Sequence, residues 1–107
     1  ATTAPYGRDE NHAGMPLRVS EMLATIPKAA FVERVSVHDV KHIIQAKKAI
    51  KKAFQLQMEG KGFTLVEVLS TCPTNWGKTP IEALKWLQEN MIPYYPLGNF
   101  KNIEEVK

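Results

Sequence analysis

Cysteine is the scarcest resource of this sequence: Cys72 is the only one in 107 residues. One thiol cannot close an internal disulfide, so nothing in the chain asks for an oxidising compartment. Long apolar runs are missing too, and none approaches the roughly 20 residues of a membrane span. Charge of one sign is in short supply: 14 Lys and Arg against 11 Asp and Glu leave only +3. That is far from the density of a dedicated nucleic-acid binder. No GxGxxG, GxxxxGK[ST] or HExxH occurs, which removes the usual dinucleotide, P-loop and zincin signatures. The expectation is a cytoplasmic protein with neither membrane nor nucleic acid as a partner.

What is present has the length and the 44% hydrophobic content of one small domain. Residues 1–14 carry Pro5, Gly7, Asn11 and Gly14 among polar residues and read as a leading loop. The chain opens "ATTAPYGRDENHAG", with no initiator Met and no signal-peptide regions, so it is expected to be processed or cut from something longer. In "MPLRVSEMLATIP", Met15, Val19, Met22, Leu23 and Ile26 share one helical face, with Pro16 suited to the first turn and Pro27 to the stop. "AAFVERVSV" is β-branched and too short for a helix, which predicts a strand over about residues 30–37.

The longest element, "DVKHIIQAKKAIKKAFQLQMEG", opens on Asp39 as N-cap and closes near Gly60. Turned at 100° per residue, Val40, Ile43, Ile44, Ile50, Phe54 and Met58 form its apolar face, and Lys41, Lys48 and Lys52 lie opposite. "GFTLVEVLS" reads as a second strand, with Phe63, Leu65 and Leu69 on one face and Val66 and Val68 on the other; such a strand belongs inside a sheet covered on both sides. A last helix starts at a capping box made of Thr79, Pro80 and Glu82. The tail, residues 93–107, holds two prolines and three aromatics and suits an extended segment packed over another surface. Strand, helix, strand is one βαβ unit, so the strands should be parallel with a right-handed crossover. Two strands do not complete such a sheet, which predicts an α/β fragment or a chain that packs against a partner.

Cys72 follows the second strand, at the edge where open α/β sheets place ligands; a buried structural thiol is the competing reading. His38 and His42 are four apart, the spacing of a metal pair on a helix, but with no further ligand in the pattern they read as solvated surface histidines. The lysines of the long helix could meet phosphate, RNA or an acidic protein, or simply be a solvated face. Trp76, Trp86, Tyr94, Tyr95 and Phe100 could stack on a ligand, or pack the tail against the last helix. "NWGKTP" lacks the glycines of a phosphate loop, and Gly7, Arg8 and Asp9 could bind an anion or form a plain turn.

One set of segments carries a family resemblance. "KGFTLVEVLSTCPTNWGKTPIEALKWLQENMIPYYPLG", with "KHIIQAKKAIKKAFQLQMEG" and "TTAPYGRDENHAGMPLRV" before it, strongly resembles the C-terminal part of the β subunit of 2-oxoacid:ferredoxin oxidoreductases, of the 2-oxoglutarate or branched-chain type. The resemblance implies an α/β fold, the C-terminal βαβα portion of a thiamine diphosphate-binding domain with a mostly parallel sheet, over residues 1–107. It implies oxidative decarboxylation of a 2-oxoacid with coenzyme A, giving acyl-CoA, carbon dioxide and reduced ferredoxin. Thiamine diphosphate with Mg2+ and a 4Fe–4S cluster would serve the full enzyme. The partners implied are the remainder of the β subunit, an α subunit with further subunits, and ferredoxin. Cys72 matches the late cysteine that joins a Cys-x-x-Cys pair and another cysteine as cluster ligands in some members. The resemblance also puts "TTAPYGRD" directly after the cofactor-contacting loop, so Thr2, Thr3, Tyr6 and Arg8 are expected near the active site or the neighbouring subunit. The Gly-Asp-Gly motif and the Cys-x-x-Cys pair are both absent, so the piece alone is expected to hold no cofactor and to be inactive. The rival expectation is a small basic stand-alone domain that binds RNA or a protein through Lys41 to Lys52.

Overall fold

The computed structural model describes residue 11 and residues 14–103, except for the side chain at position 75. The expectations for Thr2, Thr3, Tyr6, Gly7, Arg8, Asp9 and His12, and for the last four residues of the tail, lie outside the described residues.

The first helix, α1 (Val19–Leu23), is shorter than the periodicity predicts, and Arg18 at its N-cap provides no side-chain cap. Pro16 lies ahead of it, and its carbonyl accepts a hydrogen bond from the Tyr94 hydroxyl at 3.2 Å. The apolar face expected for α1 is not its buried face. Met15, Val19, Met22 and Ile26 are exposed, and the residue that α1 buries is Ser20, whose hydroxyl donates to Glu67 Oε1.

Strand β1 (Ala29–Ser36) is buried at every position except Glu33. Helix α2 (Val40–Met58) then crosses to β2 (Phe63–Leu69), which pairs parallel to β1 with Val32 opposite Leu65 and Ser36 opposite Leu69. That is the predicted βαβ unit. Asp39 caps α2 as expected, its Oδ1 accepting the His42 backbone N–H at 2.8 Å. The helix stops where Gly60 takes φ +69°, a left-handed conformation that costs glycine little.

Two expectations fail here. Among the described residues the order is β2-β1-β3, with β2 at one edge and the tail supplying β3 (Gly98–Asn102) on the far side of β1. β3 runs antiparallel to β1, so the sheet is mixed rather than mostly parallel among the described residues. The tail pairs with a strand edge instead of only lying over a surface, because β1 would otherwise leave a row of unpaired backbone groups on that side.

The second failure concerns α2. Its buried stripe is Ala46, Ala49, Ala53 and Leu56, packed on Phe31 and Val35 of β1 with Val66 of β2 alongside. Ile43, Ile44, Ile50, Phe54 and Met58 are exposed, Phe54 by 67% and Met58 by 89%. At 100° per residue the two stripes are roughly a third of a turn apart. Large side chains on the sheet and small ones on the helix fill the interlayer space together, so alanine faces the strands and the bulky residues do not.

After β2 the chain makes a one-turn helix, α3 (Pro73–Trp76), then α4 (Pro80–Trp86) and a π-helical turn at Leu87–Met91. The predicted capping box is complete: Glu82 N–H donates to Thr79 Oγ1 and Thr79 N–H to Glu82 Oε1, both at 3.2 Å. Thr79→Ala should therefore lower stability by about 1 kcal/mol in urea denaturation, with Thr79→Ser close to wild type. Leu69, Leu87 and Met91 form a second small core, flanked by Trp76, Trp86, Ile92, Tyr95 and Leu97. Among the described residues no helix is long and apolar enough to cross a membrane.

Candidate functional site

Parallel pairing puts the C-terminal ends of β1 and β2 at one edge of the sheet, with Ser36 beside Leu69. The segment leaving β1 carries His38, Asp39 and, one turn into α2, His42. The segment leaving β2 carries Cys72.

Cys72 is half-buried at the N-cap of α3. Its carbonyl accepts the Trp76 N–H at 3.0 Å, and Pro73 at the first helical position sets the turn that follows. Trp76 in turn stacks on Trp86, with ring centroids 4.5 Å apart, against the Leu69, Leu87 and Met91 core. The backbone turn at Cys72 is thus tied to the indole pair. Cys72 is not in the one set of three possible metal ligands found among the described residues.

That set is His38, Asp39 and His42. The reading of both histidines as solvated surface residues is corrected by His38, whose side chain is only 4% exposed. Its Nδ1 lies 2.7 Å from Ser36 Oγ and its Nε2 3.5 Å from Asp39 Oδ2. His42 Nδ1 lies 2.6 Å from Asp39 Oδ1, and the two imidazoles are tilted by 33° with centroids 4.2 Å apart. Burial, then the neighbouring His42 ring, push the His38 pKa below its ordinary value, against the pull of Asp39. The Asp39 carboxyl is held below its ordinary value by the His42 backbone N–H first and the His42 ring second. The segment was noticed in the sequence for its spacing. The burial was not, because it arises only in the folded chain.

The aromatic residues do not form a ligand platform. Tyr94 lies under the Arg18 guanidinium, 4.2 Å from it, and meets Tyr95 edge-on at 4.7 Å. They pack the tail, which is the plainer of the two sequence readings. Lys41, Lys47, Lys48 and Lys51 are exposed along α2. "NWGKTP" spans the end of α3 and the cap of α4 and forms no phosphate cradle; Gly77 is simply the left-handed C-cap of α3.

The sequence reading missed a buried cation. Arg34, with a side chain 0% exposed, projects from β1 on the face away from α2. Both of its terminal nitrogens reach Glu21 of α1, NH2 lies 3.3 Å from Glu67 of β2, and NH1 donates to the Pro96 carbonyl at 3.1 Å. The Tyr95 and Phe100 rings each lie 5.3 Å from the guanidinium carbon. One cation therefore ties α1, both parallel strands and the tail together. A signal was available: charges interrupt the apolar runs of both strands, and in the parallel register Arg34 faces Glu67.

The donor set bears on the cofactors that the resemblance implies. A 4Fe–4S cubane takes four thiolates, and this chain has one cysteine. The chain's residues alone do not fit such a cluster, and none of its motifs fits a metal–diphosphate site.

Comparison with curated proteins returns relatives of one kind. The ketoisovalerate oxidoreductase subunit VorA of Methanothermobacter thermautotrophicus is 44% identical over 100 residues, covering 94% of this chain and 21% of VorA. The 2-oxoglutarate synthase subunit KorB of Methanocaldococcus jannaschii is 37% identical over 97 residues, 86% of this chain and 32% of that subunit. KorB of Archaeoglobus fulgidus is 35% identical over 88 residues. The chain thus spans about a fifth of the VorA length and about a third of the KorB length. No family model matches, and no solved structure matches.

Proposed function

The chain belongs to the 2-oxoacid:ferredoxin oxidoreductase family, and on that premise we propose that it is the C-terminal part of a thiamine diphosphate-binding β subunit. The observation that carries this reading is the 44% identity with VorA over almost the whole chain. Two features of the fold support it independently. Among the described residues, α2 leaves its large apolar side chains uncovered and β2 is the last strand on its side of the sheet. Burying a side chain such as Phe54 or Met58 contributes roughly 1.5–3 kcal/mol, so a domain that continued over this face would gain from it. The remainder of the β subunit is the cover we assign to it.

In this reading the whole enzyme converts a 2-oxoacid, coenzyme A and oxidised ferredoxin into acyl-CoA, carbon dioxide and reduced ferredoxin, in the cytoplasm. The higher identity with VorA than with KorB favours a branched-chain 2-oxoacid over 2-oxoglutarate. This chain's contribution is the edge of the sheet and one thiolate, Cys72. The other three thiolates of a cluster, and the groups that hold thiamine diphosphate and Mg2+, would come from elsewhere in the enzyme. The piece alone would be inactive.

Cys72→Ala in the complete enzyme tests the assignment. The expected result is loss of about four iron atoms per β subunit and a large fall in ferredoxin reduction, with thiamine diphosphate still bound. Unchanged iron and unchanged turnover would leave Cys72 a packing residue.

A further inference from the structure

The reading above makes no use of the His38, Asp39 and His42 cluster, and we propose that these three residues form a zinc site with one exchangeable position. Their possible ligand atoms all lie within 4.8 Å of one another. Ligands about 2.1 Å from a tetrahedral ion lie about 3.4 Å apart, and His38 Nε2 and Asp39 Oδ2 are separated by 3.5 Å. That pair is already at the spacing an ion imposes.

The surroundings support the ligand roles. Ser36 Oγ contacts His38 Nδ1 at 2.7 Å from a fully buried position, which fixes the ring and leaves Nε2 turned toward Asp39. A ring nitrogen held from behind is the usual arrangement of a metal-binding histidine. Asp39 divides its oxygens: Oδ1 takes the His42 N–H and ring, and Oδ2 faces His38. Capping α2 needs only Oδ1, so a cap alone does not account for a buried His38 stacked on His42 and directed at the second oxygen. His42 also lines a groove of about 420 Å³ with Glu33, Gln45 and Lys48. Asp39 is itself exposed, which leaves an ion and a fourth, non-protein ligand a way in.

Two imidazoles and one carboxylate select zinc or a similar borderline ion over magnesium and calcium, which take all-oxygen sites. The N-terminus of α2 weakly disfavours a cation, and the Asp39 carboxylate at that end offsets it.

The test uses the full-length protein that carries this chain, stripped with a chelator, titrated with zinc chloride and assayed for zinc after gel filtration. One zinc per chain is expected. Asp39→Asn preserves the cap oxygen but removes the charge, and should weaken zinc binding at least 10-fold. His42→Gln should do so by more, and Ser36→Ala by about 10–100-fold through the ring it holds. Circular dichroism of each variant separates lost ligation from lost fold, and Asp39→Asn changes only a half-exposed side chain. Zinc affinity equal in wild type, Asp39→Asn and His42→Gln would overturn the site. Iron content and turnover test Cys72 separately, so either assignment can fail while the other stands.

Discussion

Arg34→Leu should cost about 3 kcal/mol in urea denaturation at neutral pH, near the lower end of the range for breaking a buried ion pair. The lower end applies because Glu21 and Glu67 are about a third exposed and can recover some hydration. Without the guanidinium, two carboxylates converge on one place with no cation between them. The tail also loses a hydrogen bond, the one from Arg34 to the Pro96 carbonyl. The pH dependence gives a second readout. Hydrogen bonding to Arg34 comes first among the causes that hold the Glu21 carboxyl below its ordinary 4.5, opposed by burial, with Arg18 adding a smaller pull. A carboxyl with a depressed folded pKa contributes stability that is complete above the unfolded value and disappears as pH falls through the folded one. Wild type should therefore lose stability below about pH 4.5, while Arg34→Leu, with Glu21 facing only Arg18 and Glu67, loses less. The gap between the two proteins narrows in acid. A gap that stays constant from pH 7 to pH 3 would mean that packing, not charge, explains the cost.

Gly62→Ala carries the other large effect, about 2–5 kcal/mol. Gly62 has φ +142°, and a Cβ there would lie 2.5 Å from the Lys28 carbonyl oxygen and 3.3 Å from the Ala30 Cβ. Backbone strain of about 1–3 kcal/mol adds to a clash of similar size with main chain that cannot rotate away. The contact is where the chain entering β2 crosses the start of β1, next to the register shift between Ala29 and Phe31. Gly60→Ala is the matched control, with φ +69° but nothing within 4 Å, so it should cost only about 1–2 kcal/mol. Equal midpoints for the two variants would show that the β1–β2 crossing gives way.

The elements that came through in the sequence are those whose signals are local. Asp39 announces α2, Thr79 with Pro80 and Glu82 announces α4, and "AAFVERVSV" announces β1. What did not come through depends on contacts distant in the chain. Arg34 is understood only once Glu21, Glu67 and Pro96 are beside it. β3 carries three loop-favouring residues, Gly98, Asn99 and Asn102, and is a strand because β1 offers it an edge. The inward stripe of α2 escaped because hydrophobic periodicity weights Ile, Phe and Met above Ala. The candidate site divides in the same way. Cys72 was visible as a lone thiol after a strand, and the histidine spacing was visible too, but the burial of His38 and its contact with Ser36 belong to the folded chain.

The alanine stripe of α2 has a consequence for how this helix can change over time. Its two faces answer to different neighbours: Ala46, Ala49 and Ala53 to Phe31, Val35 and Val66, and the bulky residues to whatever lies above them. Enlarging an alanine lifts the helix off the strands and displaces both of its ends, the histidine cluster at one and the Gly60 to Gly62 turn at the other. Trading Met58, 89% exposed, for Leu leaves the sheet unaware. Substitutions along one helix should thus fall into two independent histories, one written by this chain and one by its cover.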